Sequence, residues 1–432
     1  MKCALCRRRK SVVLAPPVSH NGARQMIAIP KLQTIDRVVG VPLCFLMTLA
    51  RRLFTRRLPP GPVPVRNLLF VKLAEQGSTV LAIAAISKAV QMVGRENVYF
   101  IVFEENRFIL DLLELVPEKN VITLNSQSLT GLAATTLRAM RQMWRLKLDA
   151  AIDMEFFARG SAVITFLSGA RARVGFHTWY ASGPYRGDLM THRLLYNPHL
   201  HTTSMFQVLV ESLKCDPARL PTIDLAPPPA ENDFPHFVPR PGEVKSVEAL
   251  LPRENGKGPP IILLNPNASD LVPLRQWPAG RYVELARRLM AQFPEVHISF
   301  TGGPREAAQI ERLAREVNSP RCTCLAGKTT LRQLMVLYAL CEVLVTNDSG
   351  PAHFASLTSI HVITLFGPET PALFAARTPR NVAIWAGISC SPCVNANNNR
   401  QSPCQNNLCM QQITVDRVFR EVCRVYGERV RK

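Results

Sequence analysis

Short apolar runs alternate along this chain with stretches whose apolar positions recur at three- and four-residue spacing, and the alternation occurs twice. In the first round, Asn67–Leu73, Val98–Phe103, Asn120–Leu124, Ala150–Met154 and Arg173–Phe176 read as strands. Thr79–Val93, 107–115, 128–146 and Ala158–Leu167 read as helices, and Glu75–Ser78 as a turn. In the second round, Ile261–Asn265, Val296–Phe300, Cys322–Leu325, Val343–Thr346 and His361–Phe366 are predicted strands. Gly280–Gln292, Glu306–Val317, Leu331–Leu340 and Pro351–Leu357 are the helices between them, and Val415–Tyr426 closes the chain as an amphipathic helix. Strand and helix at this spacing predict two α/β units, each a doubly wound parallel sheet with helices on both faces. Between them, residues 227–260 hold nine prolines and read as a linker or hinge. Ligands of such sheets sit beyond the carboxyl ends of the strands, so two facing units place a cleft between them.

A different pattern precedes the first unit. Residues 1–30 show no periodicity, and Val38–Ala50 is a run of 13 apolar or small residues with Arg37, Arg51, Arg52, Arg56 and Arg57 around it. That run falls short of the ~20 residues needed to cross a bilayer. Two readings stay open: a helix lying on an anionic membrane surface, or a helix packed on the protein's own core. The Pro-rich Leu58–Val65 ends it. The domain reading is therefore a basic arm at 1–66, a first unit at 67–226, the linker at 227–260 and a second unit at 261–432.

Charge sharpens the picture of the arm. The 432 residues carry 52 Lys and Arg against 32 Asp and Glu, a net +20. Residues 1–66 hold thirteen of the basic residues and one acid, Asp36, so the arm supplies twelve of those twenty charges. An acidic partner is implied: nucleic acid, anionic lipid or a phosphorylated substrate. Nucleic acid is disfavoured because the arm lacks stacking aromatics. Hydrophobic residues at 47% and charged residues at 19% exclude wholesale disorder. No secretory signal is evident, which with twelve cysteines favours a reducing compartment.

The chemistry concentrates at strand ends. Thr346–His353, TNDSGPAH, follows a strand and opens a short helix. Asp348 or Ser349 can cap that helix, Gly350 allows close backbone approach, and His353 falls one turn in, so the segment suits an anion. A plain capped helix is the competing reading. Asp348 is expected to act on backbone or hydroxyl groups rather than on the anion. Gly302 in Thr301–Pro304, TGGP, suits a ribose or phosphate, or simply a tight turn. Asn267 lies in NPNAS at the end of the second unit's first strand, and Arg275 follows it, able to clamp a pyrophosphate or to be a surface arginine. No G-x-G-x-x-G follows Leu73 or Asn265 and no P-loop signature occurs. Cys390-x2-Cys393-x10-Cys404-x4-Cys409 could make a closed zinc site or be unligated thiols. The Cys3–Cys6 pair carries little weight.

Taken together, NPNAS…RQWPAGRYVELARRL, TGGPRE and strand–NDSGPAHFAS–strand–LFGPETP resemble the second domain of family 9 glycosyltransferases, the ADP-heptose:lipopolysaccharide heptosyltransferases and their relatives. LLFVKLAEQGSTVLAIAAI and GARARVGFH resemble their first domain, so the similarity covers about residues 67–425. It implies two Rossmann-like domains in the GT-B arrangement. It also implies inverting transfer of a sugar, heptose foremost, from a nucleotide-diphosphate donor such as an ADP-sugar, without a metal or other cofactor. The acceptor it implies is a lipopolysaccharide core or another lipid-linked glycan, at the cytoplasmic face of the inner membrane.

By the same resemblance Asp348, Ser349, Gly350 and His353 fall on the nucleotide-diphosphate motif, and Arg275 where a basic residue meets the pyrophosphate. The family's catalytic aspartate follows the glycine of the first turn, whereas here Gly77 is followed by Ser78. A serine does not replace a carboxylate base unaided. Glu155, at the end of a strand and expected to face the acceptor, and Glu75, in the turn, are the candidate substitutes, ahead of Glu104, Glu105 and Asp188. The alternative is a protein that binds sugar nucleotides or scaffolds glycan assembly without catalysis.

Overall fold

The computed structural model describes residues 29–54, 61–178, 184–217, 219, 221, 236–253, 257–268, 272–398 and 400–430. Cys3, Cys6, Pro227–Pro229 and Ser269 lie outside them.

The chain enters through two helices, α1 (Ile29–Val38) and α2 (Gly40–Phe54). The first sheet then forms from β1 (Leu68–Val71), β2 (Val98–Phe103), β3 (Val121–Leu124), β4 (Ala150–Asp153), β5 (Ala172–Phe176) and β6 (His192–Leu194). Its order is β3-β2-β1-β4-β5-β6 and every pairing is parallel. The helices between its strands are α3 (Gln76–Leu81), α4 (Ile83–Val93), α5 (Phe108–Leu113), α6 (Leu129–Arg145) and α7 (Arg159–Leu167), and α8 (Thr202–Glu211) follows. β1 reads LLFV with every residue buried, as a strand covered on both faces must.

The second half opens with α9 (Pro241–Glu248) and repeats the plan with β7 (Ile261–Asn265), β8 (His297–Phe300), β9 (Cys322–Cys324), β10 (Val343–Asn347), β11 (His361–Phe366) and β12 (Asn381–Trp385). These stand in the order β12-β11-β10-β7-β8-β9, again all parallel. Read from the other edge this is the same winding as the first sheet. Its helices are α10 (Ala279–Gln292), α11 (Ala307–Val317), α12 (Leu331–Leu340), α13 (Gly350–Ala355), α14 (Pro371–Phe374), α15 (Leu408–Gln411) and α16 (Val415–Val430).

Each sheet reverses strand order once, between β1 and β4 and between β7 and β10. At those two points the neighbouring connections leave in opposite directions and open a crevice at the carboxyl ends. The two crevices face each other, because α3 of the first unit packs on α13 of the second. Val80 and Ile83 join Ala352, Phe354 and Ala355 in one buried cluster, and Phe366, Leu373 and Phe374 reach into the core of the first unit.

Local readings differ from the structure in several places. The Glu75–Ser78 turn is the start of a helix, with Glu75 as its N-terminal flank in left-handed conformation, φ 66°. The 79–93 helix is broken at Ala82 into α3 and α4. The linker contains α9, which packs on α12 and buries Val247, so part of it belongs to the second unit's core. Pro241 opens that helix at a position where its missing N–H costs nothing. Strands β6 and β12 and helix α8 lie in stretches with no clear period. They are set by neighbours: β6 by β5, β12 by β11, and α8 by its packing against α4.

Candidate active site at the domain interface

The second unit's share of the site is organised by a residue passed over in the sequence reading, Asn347 at the end of β10. Its side-chain oxygen accepts from Trp277 N (3.1 Å) and the Tyr282 hydroxyl (3.1 Å), and its amide donates to Pro266 O (3.0 Å) and Asn267 O (3.1 Å). One buried amide thereby ties the exit of β7, the loop carrying Arg275 and the end of β10 together. Trp277, fully buried, pins the same loop by donating to Ile413 O at 2.7 Å.

Arg275 is thus held in the interface, 8% exposed, and pairs with Glu369 and with Asp348, whose Oδ2 lies 3.4 Å from its Nε. Asp348 therefore meets an arginine, not the backbone or hydroxyl groups expected of it. Ser349 stands at the N-cap of α13, yet its hydroxyl donates to Asn347 O (3.2 Å), so neither residue caps the helix by its side chain. Gly350 sits against the first unit, its Cα 3.3 Å from where a Cβ on Gly77 would lie. His353 is buried, and burial first, then Arg275, lowers its pKa to about 4, so the ring is neutral at neutral pH.

Two further charged residues complete this half. Glu369 follows β11 in the FGPETP segment and is 1% exposed; burial, with Asp348 beside it, pushes its pKa up. Arg400 comes from the Asn-rich loop before α15. Its guanidinium lies 5.8 Å from the ring centres of Phe156 and Phe374 and 4.0 Å from Glu369. Sequence reading found neither. Glu369 had a signal, since it leaves the strand beside β10 at the same level as Asp348. Arg400 had none beyond being the one charge in an uncharged run, NANNNRQS.

The first unit contributes Lys72, Glu75 and Glu155. Glu75 forms an ion pair with Arg400 across the interface. Burial works to raise its pKa, but Arg400, then Lys72 and Arg275, overcome it and hold it down to about 2. Ser78 donates its hydroxyl to Glu75 O (2.9 Å) and to the Glu75 carboxylate (3.3 Å). Glu155 is placed differently from the acceptor-facing position expected. It accepts from Ala74 N (2.9 Å) and from Lys72 Nζ (3.2 Å), holding the loop that presents Glu75. Its Oε1 is held by its own unit, while the carboxylate still bears electrostatically on Arg400 of the second unit.

Of the remaining candidates, Asn267 is buried beside Gly302. A Cβ at Gly302 would lie 2.1 Å from the Ile310 Cδ1, so a side chain there would need that end of Ile310 to shift. A cavity of about 340 Å³ opens here, lined by Asn267, Gln276, Trp277, Gln309 and Asn407 among others. Glu105 accepts from Ser126 (2.6 Å), and Asp188 pairs with Arg51 and Arg193, away from the interface ring. Among the described residues no group of three or more His, Cys, Asp or Glu side chains is arranged to hold a metal ion. The zinc reading of Cys390, Cys393, Cys404 and Cys409 thus finds no support, and none of the four is in a disulfide.

The ring is under-satisfied. His353 Nδ1 and Asn267 Nδ2 are buried without a hydrogen bond, and Asp348 Oδ2, Arg275 Nε and Glu369 Oε1 have only long ion-pair contacts. Buried polar atoms normally find partners, and a cluster of orphans between two strand-end crevices marks a place built to receive a polar ligand.

The profile of glycosyltransferase family 9 (heptosyltransferase) matches residues 136–402, well over half of the chain. The chain belongs to glycosyltransferase family 9. Among its curated relatives in this family is the lipopolysaccharide heptosyltransferase 2 of Salmonella typhimurium, 34% identical over 115 residues, 26% of this chain and 32% of that protein. Another is the lipooligosaccharide heptosyltransferase 2 of Campylobacter jejuni, 27% identical over 175 residues, 39% of this chain and 52% of that one. The matched stretches thus span about a third to about a half of those relatives' length. In fold, this family 9 member is similar to the Escherichia coli ADP-heptose lipopolysaccharide heptosyltransferase II, with a TM-score of 0.65 at 18% identity, over 84% of this chain and 99% of that one. A family 9 glycosyl transferase from Veillonella parvula gives 0.65 at 15% identity, over 85% and 99%.

Proposed function

We propose that the chain transfers a sugar, heptose by family analogy, from an ADP-linked or other nucleotide-diphosphate donor to a lipopolysaccharide-core or other lipid-linked glycan, with inversion at the anomeric carbon. One observation carries the reading. A carboxylate from one crevice, Glu75, faces the buried Arg275 and the half-buried Arg400 from the other, with unsatisfied polar atoms around them.

The chemistry follows from charge. In the ligand-free ring each arginine is balanced by carboxylates. A diphosphate entering the interface competes for both guanidiniums, which hold phosphate oxygens in pairs through their forked donors. Arg400 turning to the diphosphate releases Glu75. Without that cation the Glu75 pKa rises from about 2 towards the ordinary carboxylate range, and the group becomes a better base. Donor binding thereby activates the base. Glu75 then takes the acceptor hydroxyl proton, the acceptor oxygen attacks the anomeric carbon, and the bond from that carbon to the diphosphate breaks. The two arginines stabilise the charge gathering on the departing diphosphate. This scheme needs no metal, because the arginines supply the positive charge. Neutral His353 can donate one ring N–H to the same oxygens. The cavity beside Asn267 offers amide groups to the nucleoside. The lipid-linked acceptor places the enzyme at the cytoplasmic face of the inner membrane.

The test is incubation with ADP-, UDP- and GDP-sugars and a lipopolysaccharide-core acceptor, following diphosphate release and the anomeric configuration of the product. Transfer with inversion supports the reading. ADP binding without release from any donor would replace it with the non-catalytic sugar-nucleotide binder.

A further inference from the structure

The helix α2 is apolar on both sides, and only one side is covered. Gly40, Cys44, Met47 and Leu43 face α7 and the 189–190 strap, with Cys44 fully buried against Ala162, Val163, Leu189 and Met190. The backbones approach closely there: a Cβ on Gly40 would lie 2.7 Å from the Arg159 Cβ. The helix is therefore packed on the protein's own core. Among the described residues nothing covers its opposite face. Phe45, Leu46, Leu49, Leu53 and Phe54 are 61, 59, 48, 67 and 84% exposed, and Val38 at the preceding turn is 61% exposed. Of the fifteen large hydrophobic side chains exposed among the described residues, seven fall between residues 38 and 54. Water on such a face is a standing cost, so the face is built to be covered.

We infer that this face is a docking surface for an anionic lipid bilayer, seating the acceptor end of the first unit on the membrane. The inference rests on the reading of the chain as a transferase for a lipid-linked acceptor.

Charge selects the lipid. Arg37 and Arg52 are exposed at the borders of the bare face, and the arm's thirteen Lys and Arg are opposed only by Asp36. That one carboxylate is engaged inward: it accepts from Arg159 N (2.9 Å) and Gly160 N (2.8 Å), capping the amino end of α7. An apolar strip rimmed by arginines, with no acid left facing out, matches acyl chains beneath negatively charged headgroups. Fifteen residues of α2 span about 22 Å, short of the ~30 Å hydrocarbon layer. No helix among the described residues is long and apolar enough to cross a membrane. The helix therefore lies along the interface.

The helix connects to the first unit's strand ends through one loop. Thr48 Oγ1 accepts from Asp188 N (2.8 Å) and Arg51 pairs with Asp188. Two residues away, Arg186 pairs with Asp153 at the end of β4 and donates to Phe156 O (3.0 Å). The lipid-facing helix is thus one loop removed from the strand end that carries Glu155.

The test uses the full chain and vesicles of phosphatidylcholine, alone or with phosphatidylglycerol. The wild type is expected to sediment with the anionic vesicles, less so as salt rises. Phe45→Asp/Leu49→Asp should bind them at least about tenfold more weakly. Both side chains are exposed, so the variant should keep the wild-type melting temperature. It should also keep full turnover on a delipidated, soluble acceptor, while losing turnover on the same acceptor embedded in anionic vesicles. Equal vesicle binding by variant and wild type overturns the inference. So does a wild-type dimer that the substitutions split while vesicle binding is unchanged, which would make the face a contact between copies. Vesicle binding that depends on Phe45 and Leu49, with no transfer from any donor, would uphold the surface and defeat the transferase reading instead.

Discussion

The Ser78 hydroxyl donates to both the backbone carbonyl of Glu75, at 2.9 Å, and its carboxylate, at 3.3 Å. The position at which the family resemblance calls for an aspartate is thus occupied by a residue that holds another carboxylate. That carboxylate, three residues back along the chain, is turned into the interface towards Arg400, with the serine hydrogen-bonded to it.

That arrangement makes Glu75 the residue whose loss should stop the reaction. Glu75→Gln is expected to lower kcat by ~10²–10⁴-fold while ADP binding is unchanged or tighter, because Arg400 loses its competitor. Ser78→Ala removes one hydrogen bond worth about 1 kcal/mol and should cost only a few-fold. Turnover with a lipid-linked acceptor and calorimetric ADP titration read both. Equal kcat for Glu75→Gln and wild type would exclude it as the base.

Glu155→Gln should behave unlike a base variant. It keeps the shape but weakens the hold on Lys72 and the 72–75 loop, so kcat and the melting temperature should fall together. A melting temperature that stays fixed while kcat collapses would return the base assignment to Glu155.

The two arginines should also part company. Arg400→Ala is expected to weaken ADP binding by about 10- to 150-fold, the worth of a charge-assisted hydrogen bond at ~1.5–3 kcal/mol. Arg275→Ala should do the same and, in addition, destabilise the fold by about 3–5 kcal/mol, because Glu369 and Asp348 are left buried beside each other. Adding Glu369→Gln to Arg275→Ala should recover part of that stability in urea denaturation without restoring ADP binding.

Gly77 is where the two units touch. A Cβ there would lie 2.8 Å from the His353 ring and 3.3 Å from Gly350 Cα. Gly77→Ala should therefore cost about 1–3 kcal/mol and weaken ADP binding, since α3 and α13 can no longer approach. A melting temperature equal to the wild type's would show that the interface opens freely.

Two groups of the interface pull stability down on the acid side, against the buried Glu369 and Asp153, whose raised pKa values work the other way. His353 titrates at about 4 in the folded chain against 6.5 ordinarily, so the unfolded chain binds more protons and stability declines as pH falls from 6.5 through about 4. Glu75, at about 2 against 4.5, adds a second decline as pH falls from 4.5 through about 2. Denaturant titrations across pH 7 to 2 should show a smaller first decline in His353→Asn, its remainder coming from the buried His192 and His201, also held down to about 4, and a smaller second decline in Glu75→Gln.

The sequence by itself determined the two α/β units and most of their strands, and it pointed to strand ends that the structure brings together. The reason is local: buried parallel strands such as LLFV and IILLN are continuous apolar runs, and the residues at their carboxyl ends are fixed by the run that precedes them. Arg275, Asp348, His353 and Glu75 were legible on those terms. Partnership was decided by tertiary structure. Glu75 and Arg400 are 325 residues apart in the chain and meet only because α3 packs on α13. Arg400 sits in a loop with no period, and what fixes it is two phenyl rings and two carboxylates from elsewhere. The same holds for the arm. The apolar run of α2 was plain, and its composition allowed either a membrane or a core. Packing covered one face with α7 and left the other bare, because a 15-residue helix has two sides and α7 reaches only one.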